Sequence, residues 1–383
     1  MSALLVIIGC ALLFAILWDA FESIVLPRRV TRRFRLTRGF YRTTWVPWRM
    51  LAQSIHSKKQ HETVLSYFGP LSLIVLLCVW AFGLIVAYAM IQWALQSPVN
   101  APEGVATFGT YLYMSGETFV TLGYGDVSPR ESLGRFISVA EAATGLGFVA
   151  MIIGYLPILS QAFSRREVSI SLLDARAGSP PSASELLRRH GEGNNLDELN
   201  SLLREWERWA AELMESHLSY PVLSYFRSQH DNQSWLAALT TVLDTCALVM
   251  TGVRGAPSRQ ARLTFAMARH AMVDLSQVFL TPPLAPEPDR LPHERFLQLR
   301  DALASAGVTL CNEPTAEARL AELRGMYEPY VNALAELLLF DLPAWIHVTE
   351  KTDNWQTSAW GRASANGHTV TALPLQAVED DHF

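Results

Sequence analysis

Cysteine is scarce: four in 383 residues, at Cys10, Cys78, Cys246 and Cys311. Two fall in long apolar runs and two in the more polar remainder, so no disulfide framework is expected. Alternating strand patterns are missing too, as are internal repeats and any GxGxxG fingerprint. These absences exclude a dinucleotide-binding fold and a cyclic-nucleotide β-roll. No constellation of catalytic residues points to an enzyme. No basic segment precedes the apolar run that contains Cys10, and the run continues to Trp18, so residues 1–26 read as a retained span and not as a signal peptide. Acid is absent from one long stretch: between Arg28 and Lys59 there are ten Lys or Arg and no Asp or Glu.

What is present is hydrophobicity in three blocks, Ala3–Leu26, Leu71–Leu95 and roughly 133–163. Each is long enough for a helix to cross the hydrocarbon core, which takes about 20 residues. After Arg165 the composition becomes that of an ordinary helical protein in water. The expected class is all-α: three membrane helices, a re-entrant loop between the last two, and a helical C-terminal domain. The expected boundaries are 1–27 for the first helix, 28–68 for a basic interfacial segment and 69–165 for the helix–loop–helix unit. A helical domain over 166–356 and a loosely structured tail over 357–383 complete the chain. The basic loop belongs on the cytoplasmic side by the positive-inside rule, which puts the C-terminal domain there as well.

Charge near the first span has two readings. Asp19 and Glu22, three apart on one helix face, either form an intramembrane site or meet Arg28 or Arg29 at the cytoplasmic boundary; the second is preferred. Arg29, Arg32, Arg35 and Arg38 recur every third residue, a spacing that resembles the charged helix of a voltage sensor. That resemblance stops there, because Pro27 breaks the helix and too few spans precede the loop. Contact of Arg28–Arg49 with anionic lipid, with Trp45 and Trp48 as interface anchors, accounts for the same residues.

Between the second and third blocks stands "TFVTLGYGDVSP", residues 118–129. Irregular backbone is tolerated at membrane depth only where protein buries it or where it lines a water-filled path. Preceded by a short amphipathic helix over about 107–119, this stretch reads as a re-entrant loop. An extended "TLGYG" can aim successive carbonyl oxygens at a common axis, with Gly123 and Gly125 supplying positive φ. A plain outer turn would need neither the helix nor the flanking spans.

"TLGYGD" resembles the selectivity filter of potassium channels, whose common form is TVGYG. The likeness runs without a gap from about Tyr113 to the glycines of the third span. It implies that K+ ions sit at Thr121, Leu122, Gly123, Tyr124 and Gly125, and that Glu117 and Asp126 support the filter from behind. It implies that Gly145 and Gly147 bend the inner helix, although small residues for close helix packing explain them equally well. It implies a homotetramer, because one chain carries one loop, and no cofactor beyond permeant K+. Leu122 departs from the usual Val, and Tyr113 replaces the Trp of several bacterial relatives. Glu117 and Asp126 either share a proton or Glu117 serves backbone donors alone. Glu141, ionisable and within the membrane, faces the vestibule or, the preferred reading, hydrogen-bonds to a pore helix. Pro157 is expected to break the third span.

In the remainder, Ser182 with Glu185 forms a capping box, and Leu196 to Leu213 marks a helix broken before Pro221. Further helices are expected over 233–251, 258–280, 292–306 and 315–340. His217, His230 and Asp231 are conceivable metal ligands, but surface or capping roles are expected of them. Trp206, Trp209 and Trp235 are expected in the core. The alternative to a channel is a non-conducting receptor or scaffold with a vestigial loop; the intact glycines argue against it.

Overall fold

The computed structural model describes residues 2–26, 35–102, 104–191, 196–230, 232–253, 255–310, 316–346 and 353–354. Arg28, Arg29, Arg32, Pro27, Asp231, Cys311 and the 357–383 tail lie outside the described residues. The chain divides into two compact units, Met1–Gln161 and Ala162–Phe383.

In the first unit, α1 (Ser2–Ala20) is apolar on every face and packs along α3 (Lys58–Ala94). It leaves Leu4, Ile7 and Phe14 bare, as a helix in lipid would. A single π-helical turn (Phe21–Val25) ends it. The turn places Glu22 under the indole of Trp18, whose Nε1 donates at 2.7 Å, and 3.8 Å from the Arg35 guanidinium. Asp19 has a different task. Its carboxylate accepts from the Thr37 amide (3.0 Å) and hydroxyl (2.6 Å), and from Trp80 Nε1 (3.2 Å). Thr37 lies in the first turn of α2 (Leu36–Gln53), where amides lack helical partners. One buried carboxylate therefore caps α2 and ties it to both α1 and α3. Arg35 is one cation near Glu22; the expected partners Arg28 and Arg29 lie outside the described residues.

The two sides of α2 differ. Trp45 meets Phe68 of α3 edge-on (ring centroids 4.7 Å apart), and Trp48 Nε1 donates to the Val64 carbonyl. Val46, Met50 and Leu51 are exposed beside Arg42. The helix that carries the apolar block Leu71–Leu95 begins earlier: α3 starts at Lys58 and runs through Pro70 for 37 residues, about 55 Å at 1.5 Å per residue. The packing of α2 over this extension supports the turn that Pro70 weakens.

A two-residue antiparallel ladder, β1 (Val99–Asn100) with β2 (Ser128–Pro129), closes the segment that holds α4 (Phe108–Phe119). These are the sole strands among the described residues. Next, α5 (Ser132–Ala177) extends unbroken for 46 residues. The break expected at Pro157 is absent, because a proline removes one amide from the ladder and neighbouring turns hold a long apolar helix together.

The described residues of the second unit form helices joined by loops, with one isolated bridge between Val253 and Leu310. Its first helix after α5 is α6 (Ala183–Gly191), entered through the Ser182 hydroxyl, which accepts from the Glu185 amide at 3.3 Å. Then come α7 (Leu196–Ser219), α8 (Trp235–Gly252), α9 (Ser258–Phe279) and α10 (His293–Ser305). The stretch expected as one helix over 315–340 is two, α11 (Ala316–Gly325) and α12 (Glu328–Leu338). Pro329 in the first turn of α12 explains the division, since proline starts a helix more readily than it continues one. Among the described residues, four helices are long and apolar enough to cross a membrane: α1 with its π turn, α3, α5 and α8. The last is enclosed by protein, packing on α9, α6 and α11, and forms the centre of this unit.

Trp206, Trp209 and Trp235 are core residues as expected. His217 is not at the surface. It is buried, with Nδ1 donating to the Leu213 carbonyl (2.9 Å) and Nε2 facing Arg166 Nη1 (3.3 Å). Arg166, near the end of α5, also donates to the carbonyls of Leu223 and Phe226 and pairs with Glu167. The described residues contain no group of three or more His, Cys, Asp or Glu placed to hold a metal ion.

Candidate functional site

Thr107 opens α4. Its amide donates to Thr110 Oγ1 at 3.1 Å, so the first turn is closed by its own side chains. The helix buries Tyr111 and Met114 against Ala89 and Val127, while the Tyr111 hydroxyl donates to the Ser97 carbonyl at 2.7 Å. It stops at Phe119, where the Leu122 amide turns back to the Glu117 carbonyl (2.8 Å). The short helix expected before the filter motif is therefore present within one residue of its expected limits.

Beyond it the backbone changes hand at every second residue. Thr121, Gly123 and Gly125 have φ of +56°, +67° and +76°. In an ordinary extended chain successive carbonyls face opposite sides; reversing the sign of φ at alternate positions turns them toward one side. Positive φ costs glycine nothing and any other residue something. The two glycines were legible in the sequence, whereas the left-handed Thr121 was not. Leu122 (52% exposed) and Tyr124 (71%) are uncovered by their own chain.

Behind the stretch, the Glu117 carboxylate faces the backbone amides of Tyr124 and Gly125. Its Oε2 is buried without a partner. Asp126 is engaged elsewhere: the Tyr113 hydroxyl lies 3.2 and 3.3 Å from its two oxygens. Tyr113 thus ties α4 to Asp126. Glu117 and Asp126 have no hydrogen bond to each other.

Polar contacts between side chains hold α5 to α3 and α4. Gln92 Nε2 donates to Ser138 Oγ (3.2 Å), the Tyr88 hydroxyl meets Thr144 Oγ1 (2.9 Å), and Ser115 Oγ is hydrogen-bonded to Glu141 Oε1. Glu141 is completely buried and reaches the short helix, the preferred of its two readings. Sequence reasoning missed Tyr88, Gln92, Ser115, Ser138 and Thr144. Ser138, Glu141 and Thr144, spaced by three in an apolar helix, were the available signal.

The two glycines of α5 differ. A Cβ at Gly145 would overlap the Phe119 carbonyl oxygen and lie 2.9 Å from its carbon, whereas Gly147 has nothing within 4 Å. Gly145 therefore packs closely against the end of α4, in a helix that continues uninterrupted past it.

This segment has relatives. Residues 74–160 match the model of an ion channel family. This segment is similar to an ion-channel domain. The helices flanking it make this a membrane-spanning protein. Over 198 residues the chain is 24% identical to "Uncharacterized membrane protein YdjJ" of Bacillus subtilis, covering 50% of this chain and 56% of that protein. Over 84 residues it is 34% identical to "Protein LctB" of Bacillus caldotenax and of Geobacillus stearothermophilus, covering 19% of this chain and 62% of each. The chain thus spans about three-fifths of the length of the curated relatives it matches. No solved structure matches.

Proposed function

We propose that the protein conducts K+ passively and selectively through a pore formed by four copies of the chain. The observation that carries this reading is the alternation of positive φ through "TLGYG". Four such segments around one axis would present stacked rings of carbonyl oxygens, from Thr121, Leu122, Gly123 and Tyr124, in place of the ion's water shell. Gly125 completes the alternation. Glu117 holds the Tyr124 and Gly125 amides away from the axis, and Asp126 is fixed by Tyr113.

Oligomerisation is supported by the exposure of Leu122 and Tyr124, large side chains that neighbouring copies would cover. The C-terminal end of α4, where carbonyls lack helical partners, would favour a cation in the cavity beneath the filter. Because Leu122 contributes its carbonyl and not its side chain, the departure from Val leaves the oxygen rings intact. The second unit lies in the cytoplasm, on the side of the basic segment. There α2, with Arg38, Arg42 and Arg49 beside exposed Val46 and Met50, meets anionic headgroups. Gating acts through α5, and the helical second unit is its regulatory partner.

The test is ion flux from liposomes containing the purified protein, with K+ set against Na+. K+-selective flux that disappears in Gly123→Ala is the expected result. A protein that assembles as a tetramer yet passes neither ion under any gating condition would favour the receptor alternative. Equal flux of both ions would refute selectivity.

A further inference from the structure

Conduction through the carbonyl rings makes no use of Glu141, a carboxylic acid with no exposed surface on a membrane helix. Its surroundings fix the proton inventory. Ser115 Oγ lies 2.7 Å from the Ile85 carbonyl oxygen of α3 and in hydrogen-bond contact with Glu141 Oε1 of α5. A serine has one proton to give and a carbonyl oxygen has none. If that proton goes to Ile85, the contact between Ser115 and Glu141 is a hydrogen bond only when Glu141 supplies the other. An ionised Glu141 would turn a charged oxygen toward a serine lone pair. Its second oxygen, Oε2, is buried with no partner and would carry charge uncompensated at membrane depth.

We infer that Glu141 carries the proton of this pair and heads a three-member chain, Glu141 O–H to Ser115 O–H to Ile85 C=O, that positions the filter. The chain's place in the fold gives it that role, which rests on the channel reading above. Ser115 and Phe119 are four residues apart on one face of α4, and Glu141 and Gly145 are four apart on one face of α5. The first pair of contacts is the hydrogen bond; the second is the seat of Gly145 against the Phe119 carbonyl. Two rungs one helical turn apart set both the depth and the rotation of α4. Glu117, two residues beyond Ser115, is thereby aimed at the filter amides. From α3 the titratable neighbour is Tyr88, whose hydroxyl is engaged by Thr144. Glu141 is hydrogen-bonded to Ser115 and not to a filter residue, so it is a positioning residue.

The test uses the full chain in liposomes with Glu141→Gln, Glu141→Leu and Ser115→Ala. The infrared difference between wild type and E141Q should contain the carbonyl band of a protonated carboxyl group, and S115A should shift that band. Gln keeps a donor for Ser115, so E141Q should retain the K+ over Na+ flux ratio. Leu fills similar space without a donor, so E141L should lower the ratio about tenfold, the fold-change one buried hydrogen bond is worth. Should E141L fail to assemble, S115A carries the same expectation. Absence of the band, or an unchanged ratio in E141L and S115A, would overturn the inference. A wild-type protein that passes no K+ would sink the channel reading, and with it the positioning role, whatever the infrared band shows.

Discussion

Replacing Gly145 and Gly147 separately by alanine distinguishes a helix hinge from a packing contact. In a hinge both substitutions stiffen the helix and both impair opening. In the packing account they diverge. At Gly145 the new Cβ meets the backbone of Phe119, with the carbonyl carbon at 2.9 Å and Cα at 3.2 Å. Ordinary contact begins at 3.4 Å, so α5 and the end of α4 must separate by at least about half an ångström. No flexible side chain can yield instead. Overpacking of this kind costs about 1–3 kcal/mol, and the higher end applies because the obstacle is main chain. At Gly147 the chain leaves open space, and alanine gains up to about 1 kcal/mol of helix propensity. Thermal unfolding of the detergent-solubilised assembly, followed by K+ flux, reads both effects. G145A should melt earlier and lose flux or selectivity, because Phe119 directly precedes the filter turn; G147A should melt at or above the wild-type temperature and conduct. Wild-type stability in G145A, or equal damage in both variants, would refute the reasoning.

Asp19→Ala should release α2 from α1 and α3, leaving the Thr37 amide and Trp80 indole without an acceptor, at about 1–3 kcal/mol for the buried donors. Hydrogen exchange should then rise across residues 36–53 and not in α4; unchanged protection of α2 would contradict the capping role. Tyr113→Phe removes the hydroxyl from Asp126, and sustained flux should decay faster while the K+ over Na+ ratio is kept; identical decay would remove this brace from the account. His217 is buried beside Arg166, and both burial and that positive charge hold its pKa well below the usual histidine value. Below about pH 6.5 the unfolded chain therefore binds a proton here that the folded chain refuses. Stability of the second unit should fall with falling pH, by up to about 1.4 kcal/mol per unit, and His217→Gln should flatten that slope. An equal slope in the variant would show that other groups govern it.

The parts of the fold that were legible in the sequence are those set by local chemistry. Thr107 marks where α4 begins, the two glycines mark where the backbone changes hand, and Ser182 with Glu185 starts α6. The apolar blocks gave the three spans for the same reason: a run of about 20 such residues has few other uses. What was not legible depends on partners distant in sequence. Pro157 read as a break, yet neighbouring helical turns carry α5 past it. His217 read as a surface residue because its neighbour Arg166 lies 51 positions upstream. Arg35 lies near Glu22 across a π turn and a chain reversal that no local pattern announces. Thr121 adopts a left-handed conformation that its own side chain disfavours, which is the kind of local strain a functional loop retains.

The central claim is that four "TLGYG" segments select K+. Currents across a planar bilayer with K+ on one side and Na+ on the other test it most directly. A reversal potential displaced strongly toward the K+ equilibrium value, and lost with Gly123→Ala, is the predicted result. A reversal potential near zero with large currents would contradict the claim, because it would mean that the rings formed at Thr121 to Tyr124 do not discriminate between the two ions.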